Sequence, residues 1–173
     1  MKKVFYSLLL FAVALMTTTA FLSCGSDDDE DAPKAASFDF SFIISEDLQK
    51  LTDVTVTTGF PQLSFTNKTT IMHGSKTYPA YESQKVKLTG KDADNANFTI
   101  TFKLKPNWEE ILGDQPGVRF YYDYKYTHTK STGETKVSDH KPDGLDFKTD
   151  SEMARKLIES YINGKLHFTY PID

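Results

Sequence analysis

The sequence predicts a mainly β protein with a C-terminal helix, an α+β chain built as an antiparallel β-sandwich or a partly open barrel. Three observations carry this expectation. In SFDFSFII, Phe38, Phe40, Phe42 and Ile44 fall on one face of an extended chain and Asp39 and Ser41 on the other. In NFTITFKLK, Phe98, Ile100, Phe102 and Leu104 alternate with Thr99, Thr101, Lys103 and Lys105. Successive side chains of a strand point to opposite faces, so such alternation marks antiparallel strands with one wet face. The third observation is a single long helical pattern, DSEMARKLIESYING, close to the end of the chain.

The remaining elements follow in order. DVTVTTGF, QLSFT, QKVKLTG, GVRFYYDYKYTHT and KLHFTYP read as further strands, separated by the Gly, Pro, Asn and Asp clusters that turns require. About seven short strands with this punctuation fit a sandwich or barrel. NWEEILG reads as a short helix, with Asn107 as N-cap, Glu110 completing a capping box and Gly113 as stop. The final helix takes Asp150 or Ser151 as cap, places Ala154, Leu157, Ile158 and Tyr161 on its apolar face, and ends at Gly164.

The N-terminus is a different kind of segment. Lys2 and Lys3 precede the uncharged run VFYSLLLFAVALM, followed by TTTAFLSC, a charged start, a short apolar middle and small residues at a cut site. Leu22 and Ser23 before Cys24 resemble the end of a bacterial lipoprotein signal, with Phe21 where the usual pattern carries Leu or another aliphatic residue. The resemblance implies that residues 1–23 are removed and that Cys24 becomes the acylated first residue. Cys24 is the single cysteine, so no intramolecular disulfide is available to an exported domain, and thioether attachment removes a thiol that would otherwise oxidise.

Residues 24–36 read as a tether, because GSDDDEDAPKAAS lacks the apolar content to collapse and its like charges repel. Asp27, Asp28, Asp29, Glu30 and Asp31 behind a lipidated cysteine also resemble the signal that sends lipoproteins of Bacteroidota to the outer face of the outer membrane. SEDLQKLTDVTVTTG resembles a recurring opening in small Bacteroidota lipoproteins. It implies a one-domain β-rich lipoprotein and brings no catalytic residue with it. The expected location is therefore the outer membrane, facing the exterior, with a lipid anchor as the membrane partner.

Residues 37–173 are expected to form one domain. The whole chain carries 20 basic and 24 acidic residues; without the signal's two lysines and the five tether acids the remainder is nearly neutral, 18 against 19. No basic tract points to nucleic acid. His73, His128, His140 and His167 form no metal-ligand spacing and read as surface histidines. DADNAN opens like a calcium loop but has Ala96, Asn97 and Lys103 where an oxygen ligand, Gly and Glu are required, so it reads as a polar hairpin loop. SDHKPDGLD gathers Asp139, His140, Asp143 and Asp146 but carries Pro142 and Gly144 and reads first as a turn.

Glu109 and Glu110 point to different sides of a helix, and no serine or cysteine sits in a nucleophile context. No cofactor or metal is expected, and an enzyme ranks third among the readings of function, behind two kinds of non-catalytic binding. Aromatic content supplies the candidate ligand residues. Tyr122, Tyr124 and Tyr126 share a strand face with Val118 and Phe120, Tyr121 lies on the other face, and Trp108 is nearby in sequence. These rings are either the edge of the core or a stacking platform for sugar rings. The expected function is that of a cell-surface lipoprotein with a non-catalytic binding domain, for carbohydrate or, alternatively, for a protein partner as an adhesin or fimbria-associated subunit pairing through an exposed strand.

Overall fold

The computed structural model describes residues 35–138 and 144–171, all within the compact unit 33–173. Cys24 and the acids at positions 27–31 lie outside the described residues, as do Asp139, His140 and Asp143.

Among the described residues ten strands and four helices follow one another. They are β1 (Ser37–Ser45), α1 (Glu46–Leu51), β2 (Thr52–Thr57), β3 (Phe65–His73), β4 (Lys76–Ser83), β5 (Val86–Thr89), α2 (Gly90–Asp94), β6 (Phe98–Leu104), α3 (Trp108–Leu112), β7 (Gly117–Thr129), β8 (Thr135–Val137), β9 (Gly144–Lys148), α4 (Glu152–Lys165) and β10 (His167–Tyr170). A seven-stranded antiparallel sheet runs β3-β4-β1-β7-β8, with β5 also on β1 and β9 also on β7. A three-stranded antiparallel sheet runs β10-β6-β2. The two pack as a sandwich, as the alternation predicts.

The core between the sheets is dominated by rings. Phe98 of the small sheet lies 3.9 Å from Phe60, 5.0 Å from Phe40, 5.5 Å from Tyr170 and 6.0 Å from Phe168, centroid to centroid. Phe38, Phe40 and Phe42 of β1 stack along one face, and all three are fully buried. The inner faces of β1, β6, β7 and β10 are thus the ones that their alternation predicts.

The final helix starts as expected, with the Ser151 hydroxyl accepting from Ala154 N. Its buried face is different. Ile158 and Ile162 are the buried residues, whereas Leu157, expected in the core, is 58% exposed. At 100° per residue a stripe centred on Ile158 and Ile162 leaves Leu157 on the flank beside Met153, which is also exposed.

Other expectations change as well. The strand at QLSFT belongs to a longer β3, which pairs with an unforeseen β4 around a tight turn whose Gly74 has φ +61°. Ser45 caps α1, a helix that was not expected ahead of the strand at DVTVTTGF. DADNAN is no hairpin loop: α2 and the turn after it carry the chain from β5 in one sheet to β6 in the other. Asn107 precedes α3 but makes no side-chain cap, its backbone standing at φ −106°, ψ 26° rather than in the extended region that aims a cap. His128 is buried rather than on the surface.

Phe98→Ala should cost about 3–5 kcal/mol, as for a fully buried ring, whereas Leu157→Ala should stay within about 0.5 kcal/mol of the parent. Urea unfolding of the two variants checks the assignment. Equal effects would mean that the helix packs on its other face.

Candidate functional site

Residues of β1 that face away from the core form the floor of a trough of about 590 Å³ on the outer face of the large sheet. Register builds it in rows across the strands. Lys87 of β5 stands opposite Asp39 of β1, Asp39 opposite Thr127 of β7, and Thr127 opposite Val137 of β8. In the next row Ser41 stands opposite Lys125, and Lys85, one residue before β5, lines the same trough. Ser41 is buried and small, so a depression opens between the longer side chains on either side.

The trough is polar and partly self-paired. The Ser41 hydroxyl donates to Glu82 at 3.0 Å, Lys125 lies 4.0 Å from Glu82, and Lys87 lies 3.7 Å from Asp39. Both ion pairs are long and solvated, so each contributes little stability and leaves its groups free to exchange partners. Val137, 64% exposed, supplies an apolar rim.

The aromatic candidates are differently placed. Tyr122 stacks on Phe42 with centroids 5.4 Å apart, and Tyr124 lies 5.9 Å from Tyr126 and 4.6 Å from Phe168. Tyr126 meets Tyr170 edge-on at 5.2 Å. Tyr124 is 8% exposed, and Tyr122 and Tyr126 are half-buried against the same core. Trp108, on α3, is half-buried against that core too. These rings spend their faces on one another, and Tyr121 belongs to the opposite side of the sheet. The five residues therefore do not share one exposed plane.

Tyr121 has its own structural role. It is buried with Ile43, Ile71 and Ala80, lies parallel to Tyr78, and sits across from Gly144 of β9. A Cβ on Gly144 would meet the Tyr121 ring at 1.3 Å, so the ring occupies the space a side chain would take. Arg119 stands 3.9 Å above the Tyr78 ring and pairs through two nitrogens with Asp146, the acid of the SDHKPDGLD cluster within the described residues. The pairing holds the Asp146 carboxyl below the usual carboxylate range. Asp146 thus clamps β9 to the sheet. Among the described residues no group of three His, Cys, Asp or Glu could hold a metal ion.

His128 is the other group that sequence reasoning missed. Its Nδ1 shares a hydrogen bond of 2.5 Å with the Tyr170 hydroxyl, and the ring as a whole is buried. Burial holds its pKa below the ordinary 6.5; the Ala93 carbonyl and Asp94 pull the other way, while Lys130 and Lys136 add to the depression. Tyr170 is pushed up to about 12, again first by burial. The signal available in the sequence was position: His128 continues the inward series Phe120, Tyr122, Tyr124, Tyr126 by two residues.

No family model, no curated protein and no solved structure matches the chain.

Because folded His128 resists protonation, the unfolded chain binds more protons below about pH 6.5, and stability present above that pH is lost as pH falls through it. Urea midpoints at pH 7.5 and 5.5 should show this drop in the parent and a flatter profile in His128→Gln. The lowered carboxyls of Asp94, Glu134 and Asp146 lose their contribution nearer pH 4, and Asp47, raised by burial, acts in the opposite sense there. Gly144→Ala should destabilise by roughly 1–3 kcal/mol through overpacking against Tyr121, measured by urea unfolding at neutral pH. An unchanged midpoint would show that the ring moves aside freely.

Proposed function

We propose that the protein is a lipid-anchored, outward-facing outer-membrane protein whose domain binds carbohydrate without acting on it. The observation that carries the binding half is the trough. It gathers hydroxyls of Ser41 and Thr127, carboxylates of Asp39 and Glu82 and lysine ammoniums in one open depression, so that donors and acceptors are mixed there. A polyhydroxylated ligand needs such a mixture, and the volume lies in the usual range for ligand sites. The site moves from the tyrosine rings to the wet face of the same strands. The anchoring half rests on Cys24 and on the acids that follow it, where two or more acyl chains give stable attachment.

A second reading, assembly by strand addition, is favoured by β3. Among the described residues it is bonded to β4 alone, it carries one charged residue, Lys68, over nine residues, and its Met72 is 64% exposed. An edge so lightly guarded can accept a strand from another protein.

Thr127→Trp places a large ring in the trough at an exposed strand position that tolerates aromatic residues. Glycan-array signal from the full chain in detergent should be lost in this variant while its melting temperature holds. Array binding that survives the substitution would place the ligand elsewhere. Cys24→Ala should release the protein from the membrane fraction. Replacing the five acids with Ser and Gly should keep it there but lower surface labelling of intact cells. Unchanged surface labelling would reduce the acids to a spacer.

A further inference from the structure

We infer that the carbohydrate held by the trough is acidic, bearing carboxylate or sulfate groups, and that Lys85 is the residue that recognises its charge; the inference rests on the trough being the binding site. Three lysines line the trough against two carboxylates. Each carboxylate already has a lysine, Asp39 with Lys87 and Glu82 with Lys125, and the Ser41 hydroxyl gives Glu82 a further donor. Lys85 has no carboxylate partner among the described residues and is exposed. Among the described residues the depression therefore carries one uncompensated positive charge, on the segment between β4 and β5.

Local charge here opposes the charge of the whole chain, which is −4. A nearly neutral domain has no general attraction for polyanions, so an acidic polymer would be drawn by this local excess rather than by a basic surface. The geometry also selects among anions. Lys87 and Lys125 lie 3.7 Å and 4.0 Å from their carboxylates, at the long limit of ion pairing, so an arriving anion can share them without breaking a tight, buried pair. Lys85, Lys87 and Lys125 then offer donors on both sides of the Ser41 floor, which suits charges repeated along a chain better than one isolated ion. The exposed Thr127 hydroxyl remains for the uncharged parts of the sugar.

The test uses the full chain in detergent on an array of acidic polysaccharides, each printed beside its desulfated form and its desulfated, carboxyl-reduced neutral form. Binding to acidic forms, loss on the neutral counterparts, about tenfold weaker binding by Lys85→Gln and weakening with added salt would support the inference. Retention on the desulfated form assigns the charge to carboxylate, and loss there to sulfate. Equal binding of neutral forms, or acidic binding untouched by Lys85→Gln, overturns the inference while leaving carbohydrate binding in place. Failure to bind any printed glycan overturns both. Lys85 is exposed, so the variant should melt with the parent, and a normal melting curve makes each of these outcomes readable.

Discussion

Both edges of β1 are hydrogen-bonded, to β4 and β5 on one side and to β7 on the other, so the strand cannot rotate or slip without breaking two ladders at once. Its pleat then assigns every residue a side. Phe38, Phe40 and Phe42 must enter the sandwich, where they meet Phe98, Phe168 and Tyr170, and Asp39 and Ser41 must face out as the floor of the trough. A register shift of one residue would put carboxylate and hydroxyl into a ring-filled core and rings into water. The core and the candidate site are two faces of one constraint, which is why the aromatic stripe and the ligand surface cannot coincide on these strands.

Where the ladders break, side chains continue them. Between β4 and β5 the Ser83 hydroxyl accepts from Phe42 N and donates to the Gln84 carbonyl. The Gln84 amide accepts from Ser64 N and donates to the Gln62 carbonyl. Gln62 in turn donates to Val56 O at 3.0 Å and accepts from Val56 N at 3.4 Å, so one side-chain amide stands in for a missing strand on the outer edge of β2. Buried backbone groups left without partners would cost more than these bonds contribute, and the three polar residues settle that account locally.

Legibility followed the asymmetry of environment. β1, β6 and β7 were readable because each has one dry and one wet face, so Phe and Tyr alternate with Thr, Lys and Asp. Most of β3 was not, because six of its nine residues are exposed, nor was β4, which shows no clean alternation; only Ile71 and Ala80 are buried apolar residues there, one on each strand. The helix α1 was hidden by its length, although Ser45 before two acids and the spacing of Leu48 and Leu51 did carry a cap and a face. The tyrosine strand was readable as a face but not as core or surface, since a phenol serves at either. The trough left only a faint trace, the polar pairs Asp39 and Ser41, Lys85 and Lys87, Lys125 and Thr127. Nothing local says that residues so far apart in the chain share a surface; register does.

The pairing of β1 with β7 joins Ser37 to Thr129 and Ile44 to Tyr122. The first strand of the domain thus has to wait for a partner most of the domain away, and closing that long loop comes before any of the aromatic stacking can repay it. Chains with such distant pairings fold late and slowly. A chain that has only its early strands therefore has no sandwich to close, and the domain becomes a cooperative unit only once β7 and β10 are available to β1 and β6.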